Sequence, residues 1–289
     1  MIDTHTHAWG AASPDHPWTN GPILDLVDSF DVHTVYTAER LLADMDRHGV
    51  DEAVVVGYPI CDWTDNWYTR RVAAEHDRLH GIVMLDPFAD DAVERLDRCM
   101  ETDGVLGFRL GAACPYDRMW ETFDPSVTWL RESLGETAFW EAAVEHDATV
   151  QILCDHGQLD QALELVEAYP ELTYLFDHFA HAGPETPTDE GTFSRFADLA
   201  EHDSVAVKVS EIVHMSDSSF PYADMHDHVR WLLDTFGRER VVWGSDYPNV
   251  SDVASYAEAC NWLKQVDSLS AADRSWLTGK SFRRHVDLG

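Results

Sequence analysis

Eight short apolar runs alternate with amphipathic stretches from one end of this chain to the other, and that alternation restricts its fold more than any other feature. The runs that read as strands are Met1–His7, Glu52–Tyr58, Leu79–Leu85, Val105–Leu110, Thr149–Cys154, Thr173–Asp177, Val205–Val209 and Arg240–Gly244. Most are continuously apolar rather than alternating, as strands buried on both faces are. Between them, Leu159, Ala162, Leu163 and Val166 fall at i, i+3, i+4, i+7, and so do Val229, Leu232, Leu233 and Phe236, the spacing of one helix face. No Pro/Ser linker or change of composition divides the series. The pattern predicts one α/β domain over residues 1–289, a single (β/α)8 TIM-type barrel. A doubly wound open sheet is the alternative, but no G-x-G-x-x-G or Walker sequence follows any strand.

Composition excludes several classes of function. Hydrophobic residues make up 45% of the 289, with 11 Trp, 12 Phe and 9 Tyr, which is enough apolar surface for a real core despite the charge. There are 53 acidic against 20 basic residues, a net charge of −33, so nucleic acid and anionic membranes are not expected partners. Only Lys208, Lys264 and Lys280 are lysine. An acid-rich, lysine-poor surface suits a cytoplasm at molar salt, where the Debye length falls to about 3 Å and self-repulsion is screened; the chain reads as halophilic. Cys61, Cys99, Cys114, Cys154 and Cys260 are odd in number and show no C-x-x-C spacing, as reduced thiols of a cytosolic protein would be. No apolar run approaches 18 residues and no charged-then-apolar leader precedes Asp3, so a soluble cytoplasmic protein is expected, compatible with a homo-oligomer.

Two segments exceed ordinary loop length, 8–37 after the first strand and 111–136 after the fourth. In a barrel both emerge on the C-terminal face, where active sites are built. Both are rich in aromatics and proline, Trp9, Trp18 and Tyr36 in one, Trp120, Phe123 and Trp129 in the other. They read as walls or lids over the barrel mouth, or as hydrophobic plugs; Trp18 is the candidate for substrate contact.

Titratable groups gather at the strand ends. Asp3-Thr4-His5-Thr6-His7 opens the chain, and residues two apart in a strand face the same way, so His5 and His7 present two imidazoles side by side, half of a divalent-metal site. Arg109 lies in strand four. Cys154-Asp155-His156 follows strand five, Asp177-His178 ends strand six, Lys208-Val209-Ser210 lies in strand seven, and Gly244-Ser245-Asp246-Tyr247-Pro248 ends strand eight. Such convergence is what catalysis on this fold requires.

In order and approximate spacing, Asp3-x-His5-x-His7, Asp177-His178, Lys208-Val209-Ser210 and Phe236-Gly237-x-x-Arg240 through Pro248 resemble the amidohydrolase superfamily, in its amidohydrolase-related (amidohydrolase 2) branch. The resemblance runs over essentially the whole chain. It implies a distorted (β/α)8 barrel and either lactone hydrolysis or non-oxidative decarboxylation of an aromatic or unsaturated acid. His16-Pro17-Trp18, Asp65-Asn66 and Tyr169-Pro170-Glu171-Leu172 are similar to the lactonase subgroup, which favours a hydrolase opening a sugar or dicarboxylate lactone. By that resemblance Asp246 is the catalytic base, and His5, His7 and Asp246, with His156 as a further candidate, would hold one Zn²⁺ or Mn²⁺. A metal-free variant also exists among such lactonases. His178 would orient the carbonyl or shuttle a proton. Arg109 and Lys208 would bind substrate, or instead pair with buried acids.

Two departures from the family pattern stand out. Arg109 occupies the place of the bridging lysine of binuclear members, so one metal is expected rather than two. Near the C-terminus Gly279-Lys280-Ser281 replaces Gly-Asn-Ala. The decarboxylase reading uses the same His5, His7 and Asp246, and a non-catalytic binder is the third possibility.

Overall fold

The computed structural model describes residues 1–16, 35–58, 65–111 and 124–288. The eight strands are β1 (Ile2–Thr6), β2 (Glu52–Val56), β3 (Leu79–Met84), β4 (Val105–Leu110), β5 (Thr149–Ile152), β6 (Thr173–Phe176), β7 (Val205–Val209) and β8 (Val241–Trp243). They lie in sequence order in one sheet, every neighbouring pair parallel. Beyond its last sheet residue, β8 meets β1 through Asp246 N–H donating to His5 O (2.8 Å) and His7 N–H to Tyr247 O (2.9 Å), with a parallel bridge between Thr6 and Tyr247. The sheet thus curls into the expected (β/α)8 barrel; β4 and β7 end where predicted, and the other strands end one or two residues earlier than predicted.

One irregularity in β1 decides where the site lies. Ile2 pairs with Glu52 and Asp3 with Ala53, but Thr6 pairs with Val55. Three steps along β1 match two along β2, so β1 carries one extra residue, a bulge that reverses which side chains face inward. Past the bulge, His5 and His7 stand beside Val54 and Val56. Both valines belong to the cluster that fills the barrel interior, with Ile2, Ile82, Leu175, Ala206 and Val242. Without the bulge, Thr4 and Thr6 would face in. Phe282 and Val286, from helix Ser281–His285 and its exit, join the same interior cluster. Ser281, the departure near the C-terminus, is buried and donates to Arg238 O at 2.6 Å.

The outer layer follows the apolar periodicity. Helix His226–Phe236 buries Val229, Leu232, Leu233 and Phe236. Helix Leu159–Ala168 buries Leu159, Ala162 and Val166, with Leu165 in place of the expected Leu163. The long segments are only partly loop. Helix Ala38–His48 begins at the end of the first, capped by Thr37, and a short helix, Trp129–Ser133, lies in the second. Trp129 is fully buried in the main core cluster; Trp9 is buried too, stacked on Tyr58. These two are plugs, not lids. The tips of both segments, including Trp18, Trp120 and Phe123, lie outside the described residues, as do Cys61 and Cys114. Cys99, Cys154 and Cys260 are free thiols. No helix among the described residues is long and apolar enough to cross a membrane.

Candidate active site

The strand C-termini bring His5, His7, His178 and Asp246 together, all buried. His7 Nδ1 lies 2.8 Å from Val56 O. A carbonyl can only accept, so Nδ1 carries the proton and the neutral ring keeps its lone pair on Nε2. That nitrogen faces Asp246 Oδ1 at 3.1 Å, and His5 Nε2 faces the same oxygen at 3.4 Å. Two imidazoles and a carboxylate oxygen converging within a dry pocket form the donor set a cation joins, and a histidine that gives its other N–H to a carbonyl is the usual ligand arrangement. Neither ring nitrogen of His5 makes a well-formed hydrogen bond, and burial holds His5 well below the usual imidazole range. The residues therefore fit a metal. His5, His7 and Asp246 form one group able to hold an ion; His5, Asp177 and His178 form a second, and His178, Glu211 and Asp246 a third.

Asp246 is tied from the other side. Asn249 Nδ2 donates to its Oδ2 at 2.7 Å, and Tyr58 donates to Asn249 Oδ1 at 3.2 Å. Burial would raise the Asp246 carboxyl, but the adjoining His7 and His178 and the bond from Asn249 outweigh it and hold it below the usual carboxylate range. It is thus ionised at neutral pH and can accept a proton.

Beneath this level lies a polar layer built on Asp177, which is fully buried. Arg109 Nε and Gln151 Nε2 donate to its Oδ2 at 2.9 and 2.8 Å. Lys208 Nζ and His5 Nδ1 stand 3.5 and 3.3 Å from its Oδ1. Burial pushes Asp177 up, yet Lys208, His5 and Arg109 together hold it well below its ordinary value. Lys208 also donates to Thr4 O (2.9 Å) and Gln151 Oε1 (2.5 Å). An ammonium has three donors; two go to these acceptors and the third faces Asp177 Oδ1. Burial lowers its pKa to about 8. Lys208 is therefore a buried partner of Asp177, and the expectation that it contacts substrate is revised. Arg109 is likewise turned inward: besides Asp177, its Nη2 lies 3.3 Å from His178 Nε2.

Because Arg109 can only donate, His178 Nε2 is the acceptor nitrogen, and Nδ1 gives its proton to Ser210 Oγ at 3.0 Å. Burial, then the neighbouring His5, holds His178 well below the imidazole range. On the far side of His178 stands Glu211, its Oε2 at 3.5 Å from His178 Nε2. Its other oxygen is pinned by His214 Nδ1 at 2.9 Å, and His214 Nε2 lies 3.3 Å from Asp252. Burial and the charge of Asp246 push the Glu211 carboxyl up to about 7, while Glu211 raises His214 to about 9.

The backbone is strained at these positions. His178, Phe179, Ala180 and His181 are all left-handed (φ 49°, 55°, 48° and 56°), and so are Glu211 (55°) and Asp246 (60°). Each such residue costs about 1–3 kcal/mol and persists only where packing over-determines it, typically at functional sites. Gly244 has a different task. A Cβ there would lie 2.7 Å from His5 Cβ and 2.9 Å from His5 N, so only glycine lets β8 approach β1 closely enough to bring Asp246 to the two histidines.

His156 does not join the set. Asp155 caps the turn His156–Gln158, and His156 Nδ1 pairs with Thr192 Oγ1 at 2.5 Å, outside all three groups, because the capped turn carries its ring away from the strand axis. Trp18 lies outside the described residues. Sequence reading missed Glu211, Asn249, Gln151 and the central part of Asp177. Glu211 had a usable signal, an acid directly following the last residues of a strand, and so had Asn249, three residues past Asp246. The loop resemblances do meet in space: His16 stacks on Trp67 (3.9 Å between centroids) with Asp65 3.9 Å away, and Asn66 clasps Met84 N and O at 2.8 and 2.7 Å.

Known proteins share this chain's fold and much of its length. L-fucono-1,5-lactonase of Burkholderia ambifaria is 25% identical over 263 residues, 91% of this chain and 85% of that protein. The 4-sulfomuconolactone hydrolase of Rhizobium radiobacter is 26% identical over 253 residues, 86% of this chain and 75% of that one. The crystal structure of an amidohydrolase from Burkholderia multivorans with bound zinc has the same fold, with a TM-score of 0.72 at 21% identity over 98% of each chain. The family model described as Amidohydrolase matches residues 2–280, and with its barrel and its strand-end histidines and aspartate the chain belongs to the amidohydrolase family.

Proposed function

We propose that this chain is a metal-assisted hydrolase that opens a lactone or related cyclic ester. The observation that carries the reading is the meeting of His5 Nε2 and His7 Nε2 on Asp246 Oδ1, three groups with no proton to share among them in their neutral and ionised forms. His5, His7 and Asp246 would hold one Zn²⁺ or Mn²⁺; such an ion supplies Lewis-acid polarisation of the carbonyl or of the attacking water. Asp246 takes the proton as the water oxygen adds to the lactone carbonyl carbon. Asn249 keeps that carboxylate oriented. When the tetrahedral adduct collapses, the ring C–O bond breaks and the departing alkoxide needs a proton; His178, next to Asp246, is the group to carry it. The product is the open hydroxy acid, with no redox change. Arg109 and Lys208 act through Asp177, whose charge stands 3.3 Å from His5 Nδ1. The lactonase names of the full-length relatives support hydrolysis over decarboxylation.

The test is acid release from a panel of lactones, followed by a pH indicator, with protein loaded with Zn²⁺ or Mn²⁺ and with chelator-stripped protein. Turnover that disappears on stripping and returns with the ion is expected. Turnover unaffected by chelation would leave His5 and His7 as hydrogen-bond donors in a metal-free hydrolase. Carbon dioxide released from an unsaturated acid, with no lactone opened, would replace the reading by decarboxylation.

A further inference from the structure

Glu211 is the one acid of the converging set that the proposed reaction leaves without a task. It is held with unusual firmness for a carboxylate at a pocket. Its backbone is left-handed (φ 55°), and its Oε1 is fixed by His214 at 2.9 Å, itself fixed by Asp252. Its Oε2 lies 3.5 Å from His178 Nε2, and Glu211 belongs to the group it forms with His178 and Asp246. A rigid acceptor oxygen beside the catalytic pair is suited to a substrate hydroxyl, since a carboxyl oxygen left unpaired in a desolvated site makes a substrate lacking the matching donor bind poorly.

Among the described residues, the cations nearby point the same way. A lactone bearing a carboxylate or sulfonate needs an unspent cation, a guanidinium above all. Arg109 is committed to Asp177 and His178. All three donors of Lys208 face Asp177, Gln151 and Thr4. Beside His178, which is itself buried, the Glu211 carboxyl keeps 13% exposure. Its oxygen accepts from a hydroxyl, and in neither state does it carry the positive charge that would hold an anion.

Resting on the lactonase reading, we propose that Glu211 is a substrate-hydroxyl acceptor that determines specificity, making neutral polyhydroxylated lactones, rather than anionic ones, the class this site opens.

The experiment compares metal-loaded protein on aldono-1,5-lactones, L-fucono-1,5-lactone among them, with 4-sulfomuconolactone, which carries fixed negative charge. The neutral lactones should be favoured in kcat/KM by about ten-fold or more. Glu211→Gln should shrink that preference by about ten-fold, mainly through a higher KM for the neutral lactones, while metal content per chain stays at the wild-type level. A wild-type preference for 4-sulfomuconolactone overturns the inference and leaves the lactonase reading intact, and this arm needs no variant to fold. An unchanged preference in Glu211→Gln overturns it as well. Loss of bound metal in Glu211→Gln, measured by elemental analysis, would make Glu211 a ligand instead. If the metal-loaded wild type opens neither lactone, the lactonase reading falls and this inference falls with it.

Discussion

At the scale of single residues, the site separates groups that react from groups that hold them, and substitutions should separate them too. Asp246 is needed to take a proton in the transition state and hardly for ground-state binding. Asp246→Asn should therefore lower kcat by about 10²–10⁴, the usual worth of a positioned general base, with KM within a few-fold. Steady-state kinetics on a lactone that the wild type opens checks this, and a near-normal kcat would remove Asp246 from the chemistry. Arg109 now calls for the opposite of what its sequence position implies. An arginine gripping a substrate anion would, on replacement by methionine, raise KM and leave stability alone. The Arg109 observed here neutralises a fully buried Asp177 and orients His178. Removing one partner of a buried charge typically costs about 3–5 kcal/mol, so Arg109→Met should show a marked loss of denaturant midpoint and of kcat with little change in KM. A raised KM at unchanged stability would return Arg109 to the substrate. The sequence showed which residue types crowd the strand ends, but a cation's partner depends on which of 53 acids the fold buries beside it, and no spacing rule carries that.

At the scale of elements, the barrel was legible because each strand is a short apolar run and each helix a 3.6-residue stripe, and both periodicities survive folding. What the residues hid was local geometry. The extra residue in β1 puts His5 and His7 on the inward parity, although the pairing of His5 with His7 on one face was correctly readable from their spacing alone. The left-handed run at His178–His181 and the isolated left-handed Glu211 and Asp246 include Phe, Ala and Glu, which ordinarily avoid that region, and His and Asp, which enter it as single residues rather than in runs, so residue identity does not announce the run. His156 looked like a ligand by residue type and position, and a capped turn sends it elsewhere. Gly244 is the position where element packing and the site are most directly coupled. A methyl group there would collide with His5 Cβ and main-chain nitrogen, and β1 is held by hydrogen bonds on both flanks, so it cannot retreat freely. Gly244→Ala should cost about 1–3 kcal/mol, as overpacking does, and should weaken zinc binding more than any substitution of similar cost on an outer helix. Thermal unfolding together with a zinc titration measures both, and unchanged values in the two would mean that β8 and β1 need not approach so closely.

At the scale of the whole molecule, electrostatics outside the site sets the conditions under which this barrel is expected to hold. Even if each basic residue paired with an acid, the chain would carry an excess of 33 negative charges. Several of its basic residues pair with acids at the surface, as in Arg71 with Glu75, Arg95 with Asp91 and Arg131 with Glu164, and exposed pairs of this kind contribute about 0–1 kcal/mol each, too little to offset the repulsion among the rest. Of its three lysines, Lys208 is fully buried, which leaves Lys264 and Lys280 as the surface ammonium groups. Unfolding lets the charges move apart, so self-repulsion destabilises the compact state, and screening should relieve it. The Debye length is about 10 Å at 0.1 M salt and about 3 Å at 1 M, so the gain should continue well past physiological ionic strength. Thermal midpoints measured from low salt to molar KCl should accordingly rise steeply. NaCl should act as KCl does, since screening depends on ionic strength and not on the cation. Sucrose, which favours compact states by exclusion and carries no charge, should not reproduce the low-salt part of the rise. Equal midpoints in low and molar KCl would show that the acidic surface is tolerated without salt and would remove the halophilic reading.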